Sequence, residues 1–141
     1  MINKCPVLWT SKLQQLTATS TMHAEYVALS TACREVIPLK EIVTELSSVY
    51  QLTTETTPII RTTIYEDNEG ALKLANIELP RTTPRSKHYG IIYHWFREHV
   101  MNGTINILPI DTTDQLADFF TKGLSWAPFE KLQKQLIGWW N

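Results

Sequence analysis

Ile59-Ile60-Arg61-Thr62-Thr63-Ile64-Tyr65-Glu66-Asp67-Asn68-Glu69-Gly70-Ala71-Leu72-Lys73-Leu74-Ala75-Asn76 contains the change of pattern on which the fold turns. Residues 59–65 are rich in β-branched Ile and Thr, which pack well on a pleated surface and predict a strand. Residues 68–76 then read as a short helix. Thr104 to Ile110 alternates and predicts a second strand. These two strands, joined through helices, are expected to run parallel. The element order is β, long α, β, α, loop, α, β, α, α. Strands separated by helices predict an α/β fold with a mixed sheet.

Upstream, Ser20 to about Tyr50 is helical. Leu29, Ala32/Cys33, Val36, Leu39, Val43 and Leu46 recur at three- and four-residue steps and form one apolar stripe. Thr19, Ser20 and Thr21 offer N-cap oxygens. Pro38 removes a backbone donor inside this helix, so a kink is expected near residues 34–38. Residues 5–18 read as extended, either one strand or a ragged hairpin. Loops are expected at 51–58 and 79–87. A second long helix is expected at 89–101, ended by Gly103. A short helix follows at 113–122. A last amphipathic helix covers 127–140, with Phe129, Leu132, Leu136 and Trp139/Trp140 at helical spacing.

At 141 residues, the length prior favours one domain. Thirteen Lys and Arg against fourteen Asp and Glu leave a net charge of −1, which excludes a histone-like basic protein and an acidic disordered tail. Cys5 and Cys33 are too few for a disulfide framework or a zinc site. No apolar run approaches the ~20 residues of a membrane span, and Met1 to Pro6 lacks the apolar core of a signal peptide. The expected setting is intracellular, cytoplasmic or nuclear, with no membrane partner.

Three carboxylates stand out by position. Glu25 lies in line with the buried stripe of the first helix. It is either a partner for the helix dipole or a site residue. Asp67 follows a strand, and ligands bind at the carboxyl ends of strands in open α/β sheets. Capping of the next helix by Asp67 or Asn68 explains the same pair. Asp118 sits in Gln115-Leu116-Ala117-Asp118-Phe119-Phe120-Thr121-Lys122, where Asp114, Asp118 and Lys122 could equally form a solvated stripe. Brought together, such acids bind hard divalent cations. Two ions about 4 Å apart can activate water and stabilise the leaving oxygen of a phosphodiester.

Ala24-Glu25-Tyr26-Val27-Ala28-Leu29-Ser30, Asp67-Asn68, Lys87-His88 and Gln115-Leu116-Ala117-Asp118 with Thr121-Lys122 occur in that order. Together they closely resemble the ribonuclease H domain of Copia-type LTR retrotransposon polyproteins. Pro6-Val7-Leu8-Trp9-Thr10-Ser11-Lys12-Leu13-Gln14 is similar to that family's third strand and turn, and Tyr93-His94-Trp95-Phe96-Arg97-Glu98 to its later helix. The resemblance runs from about Cys5 to about Leu124. It implies a ribonuclease H-like fold, a five-stranded mixed sheet with helices on its faces. It implies hydrolysis of the RNA strand of an RNA–DNA hybrid with Mg²⁺ or Mn²⁺, two ions if the site is complete. The implied catalytic and metal-binding acids are Glu25, Asp67 and Asp118. Ser20, Thr21, Asn68, Arg85, Lys87 and His88 are the implied substrate contacts. The remainder of the polyprotein, with its reverse transcriptase, is the implied partner.

The family's first acid belongs to a Ser-Asp-Ala-Asp-Trp-like stretch that this chain does not contain. The first strands are therefore expected to be missing, and the polypeptide alone is expected to be inactive or nearly so, unless Glu66, Asp111 or Asp114 stands in. Gly90 and Tyr89 stand where the family has Asp and Ile, and Glu66 replaces a small apolar residue. The expected organisation is a partial ribonuclease H-like domain over 1–125 and a C-terminal amphipathic helix over 126–141. Arg81, Arg85, Lys87, His88, His94 and Arg97 form a local basic cluster, read either as phosphate contacts or as a solvated face. His88, His94 and His99 match no zinc spacing. A non-catalytic remnant that binds nucleic acid or a partner is the competing reading.

Overall fold

The computed structural model describes residues 1–2, 5–15, 17–52, 60–78, 81 and 93–137. The chain forms two compact units, one of Thr17–Pro109 and one of Met1–Leu16 with Ile110–Asn141.

In the Thr17–Pro109 unit, helix α1 spans Thr21–Val49. Ser20 is its N-cap, and its hydroxyl accepts the His23 N–H at 3.1 Å. The helix continues through Pro38. It ends with Leu52 N–H on the Ser47 carbonyl and Gln51 N–H on that of Ser48, a Schellman pattern with Gln51 at φ 50°. Strand β1 (Thr63–Glu66) pairs in parallel with β2 (Asn106–Pro109), with Ile64 opposite Ile107 and Tyr65 opposite Leu108. Between them lie α2 (Glu69–Ala75), capped by Asn68, and α3 (Arg97–Met101). Gly103, at φ 75°, makes the left-handed turn after α3.

The expected parallel pair is therefore present. Among the described residues the sheet has two strands. Tyr26, Leu29 and Cys33 of α1 pack with Ala71 and Leu74 of α2, and with Phe96, Ile105 and Ile107. The expected helix over 89–101 is shorter: residues 89–92 lie outside the described residues, and the α-helix begins at Arg97. His94 and Trp95 both reach α1, where Tyr26 Oη lies 2.8 Å from His94 Nδ1 and Trp95 Nε1 donates to Ser30 Oγ at 3.1 Å.

In the second unit, residues 5–15 form no strand. Half their side chains are polar, and Leu13 is 97% exposed, so no apolar face drives pairing. Ser11 Oγ donates to the Phe120 carbonyl at 3.1 Å. The helix expected over 113–122 is split into a 3-10 turn at Thr112–Asp114 and α4 at Asp118–Thr121. Asp111 caps the start of the 3-10 turn by accepting the Thr113 N–H at 2.8 Å, and the run breaks at Gln115, whose backbone is extended with ψ 103°. Helix α5 covers Trp126–Ile137. Residues 138–141, which include Trp139 and Trp140, lie outside the described residues. Phe129 of α5 stacks on Phe119 of α4 with ring centroids 4.8 Å apart, and Leu132 is buried.

Candidate carboxylate site

Glu25 lies past the first turn of α1, which holds no acid. The helix dipole acts mainly within that turn, so the dipole reading of Glu25 loses its basis. Asp67 directly follows β1. The cap of α2 is Asn68, whose Oδ1 accepts the Ala71 N–H at 3.0 Å, so capping does not account for Asp67. Both acids are half-buried.

Glu66 lies with them. Strand alternation turns it to the same side as Ile64, toward the helices, and it is only 6% exposed. Its Oε1 accepts the Asn68 N–H at 2.9 Å. Burial pushes its pKa from 4.5 up to about 7, with the negative charges of Glu25 and Asp67 adding to the rise and the Asn68 hydrogen bond opposing it. Glu25 and Asp67, far apart in sequence, thus act on one buried carboxyl. The period-two pattern Ile64, Glu66 was the available signal for this burial; sequence reasoning noted Glu66 only as a departure and a stand-in.

Asp118 belongs to the other unit. It opens α4, is 7% exposed and accepts from Lys122 Nζ at 2.8 Å. The i,i+4 pair expected for a solvated stripe is therefore present, but the acid itself is buried. Asp114 pairs instead with Lys131 at 2.6 Å, and Asp111 is taken up by Thr113.

The substrate-contact expectations divide in three. The Ser20 and Asn68 side chains cap α1 and α2. Thr21 is exposed at the start of α1. Arg85, Lys87 and His88 lie outside the described residues. The basic cluster loses one member to the core: Arg97 is fully buried, and its guanidinium donates to the carbonyls of Ile77, Glu78 and Arg81. It ties down the chain after α2, which removes it from the phosphate-contacting surface. His94 is half-buried against Tyr26, whose phenol burial holds above its usual pKa range.

Glu25, Glu66 and Asp67 of the Thr17–Pro109 unit offer only carboxylate oxygen, which suits a hard cation such as Mg²⁺ or Mn²⁺. Among the described residues, no three His, Cys, Asp or Glu side chains are preassembled around a metal position. The fit is chemical, and an ion would have to draw the ligands in. A groove along the second half of α1, lined by residues including Ile37, Lys40, Glu41 and His99, contains none of these acids. Among the described residues, no helix is long and apolar enough to cross a membrane.

Parallel strands with intervening helices and carboxylates at a strand end define an α/β chain with a candidate cation site. The chain is similar to retrovirus-related Pol polyproteins. It is 34% identical over 132 residues to that from transposon TNT 1-94 of Nicotiana tabacum, covering 94% of this chain and 9% of the relative. It is 34% and 35% identical over 132 residues to those from transposons RE2 and RE1 of Arabidopsis thaliana, covering 93% of this chain and 8% of each relative. Its homologues are thus transposon Pol polyproteins, and the chain spans less than a tenth of the length of these curated relatives. No protein-family model and no solved structure matches it.

Proposed function

We propose that this chain is the ribonuclease H-like part of a retrotransposon Pol polyprotein, which hydrolyses the RNA strand of RNA–DNA hybrids formed in reverse transcription. The observation that carries the reading is the acidic end of β1, where the Glu66 carboxyl is 6% exposed and bonded to the Asn68 N–H at 2.9 Å, directly beside the half-buried Asp67. Carboxylates gathered where a strand runs into a helix suit a divalent cation and phosphodiester chemistry. Glu25, Asp67 and Asp118 are the proposed ligands of Mg²⁺ or Mn²⁺. When bound, the cation supplies a nucleophilic water and stabilises the leaving oxygen. Arg81 is exposed and, with Arg85, Lys87 and His88, is proposed to meet phosphates. Groove shape and 2′-hydroxyls distinguish the hybrid from DNA. The reverse transcriptase portion of the polyprotein is the proposed neighbour.

The test is cleavage of an end-labelled RNA–DNA hybrid with Mg²⁺ or Mn²⁺, using duplex DNA as the control substrate. The expected result is slow, hybrid-specific cleavage that Asp67→Asn abolishes. Cleavage that persists undiminished in a folded Asp67→Asn chain overturns the reading, and no cleavage by a chain shown to be folded by circular dichroism matches the impairment expected from the missing first acid. That second result also fits a non-catalytic remnant, a reading consistent with the lack of a preassembled ligand trio among the described residues.

A further inference from the structure

Gly70 is the second residue of α2, where its lack of a side chain has no obvious local use. Its backbone φ is not left-handed, and glycine inside a helix costs about 0.5–1 kcal/mol relative to alanine. The reason lies across the helix pair. A Cβ at position 70 would stand 2.9 Å from both Cγ and Sδ of Met22, and 3.2 Å from the Asn68 Oδ1 that caps α2. Met22 is half-buried and packed against the core cluster, which limits its freedom to move aside. Met22 and Glu25, at i and i+3, share one face of α1. Asp67 and Asn68 lead directly into α2. The contact at Gly70 therefore joins the helix that carries Glu25 to the turn that carries Asp67.

We propose that Gly70 is a positioning residue for the carboxylate site: its missing side chain lets the first turn of α2 close on Met22 and brings Asp67 to the side of α1 that bears Glu25. This rests on the reading that Glu25 and Asp67 hold a divalent cation. Any side chain at 70 pushes α2 off Met22, disturbs the Asn68 cap, and separates the two acids. Gly70→Ala gives a better helix former at the price of a worse cation site. A merely structural role predicts no such opposition.

Mn²⁺ binding to the full 141-residue chain, read by electron paramagnetic resonance without any substrate, tests this directly. Circular dichroism melts check the fold of each variant. Gly70→Leu is expected to weaken Mn²⁺ binding by about tenfold or more, in the range typical of residues that support metal ligands. Gly70→Ala is expected to weaken it less, with the gain in helix propensity set against the disturbed Asn68 cap in the melt. Met22→Ala, placed in the Gly70→Leu background, is expected to return most of the lost affinity by making room. Wild-type binding with full affinity in both Gly70→Ala and Gly70→Leu overturns the inference and leaves the cation reading standing. Weak binding by Gly70→Leu that Met22→Ala does not restore also overturns it, since the loss then does not pass through this contact. A wild-type chain that binds no Mn²⁺ overturns the cation reading and the inference together.

Discussion

The Thr17–Pro109 unit and the unit of Met1–Leu16 with Ile110–Asn141 solve the same problem with unequal means. The first buries Tyr26, Leu29, Cys33, Leu74, Phe96, Ile105 and Ile107 in one cluster. Among the described residues of the second, Leu132 is the buried apolar side chain, while Leu8, Trp9, Leu13 and Trp126 are exposed. The two units also treat a buried acid differently. Glu66 is backed by the core and faces the like charges of Glu25 and Asp67. Asp118 is almost as buried but has the Lys122 ammonium at 2.8 Å. A well-packed unit can hold an acid in an unfavourable field; a thinly packed one neutralises it locally.

The largest effect expected from this contrast concerns the core. Phe96→Ala removes a fully buried ring and is expected to cost the first unit about 3–5 kcal/mol. Leu132→Ala is expected to cost the second unit about 2 kcal/mol, at the low end for such a change, because loosely packed surroundings can collapse into the gap. Urea denaturation of both variants measures this, and equal losses would break the comparison.

A smaller effect concerns Glu66. Its folded-state pKa of about 7 lies above the unfolded 4.5, so the folded state binds the proton more tightly. The stability this contributes is fully present below about pH 4.5 and is lost as pH rises through about 7. The two limits differ by up to ~3 kcal/mol at ~1.4 kcal/mol per unit. Glu66→Gln is expected to flatten this part of the stability–pH profile and to make the chain more stable than wild type at pH 8. A slope between pH 5 and 7 that is the same in wild type and variant would show that Glu66 is not the group responsible.

Much of the first unit was legible in the sequence because its signals are local. Ser20 and Asn68 announced the starts of α1 and α2 through capping chemistry, and the β-branched and alternating runs announced two parallel strands. Glu66 was legible in principle, since it falls two residues after Ile64. What failed to read through depends on distant partners. Arg97 looked like part of a basic surface, but its burial is set by the carbonyls of Ile77, Glu78 and Arg81. Residues 5–15 carried strand-like residues, but a strand needs a neighbour that no local pattern guarantees. The break before α4 falls at Gln115, whose extended backbone interrupts a run with helical spacing.

The most direct test of the central claim compares Asp118→Asn with Asp67→Asn in cleavage of a labelled RNA–DNA hybrid, each checked for folding. Both acids are proposed cation ligands of one reaction. Either substitution is therefore expected to remove cleavage as completely as the other. Cleavage that survives in a folded Asp118→Asn chain but not in Asp67→Asn would contradict the claim.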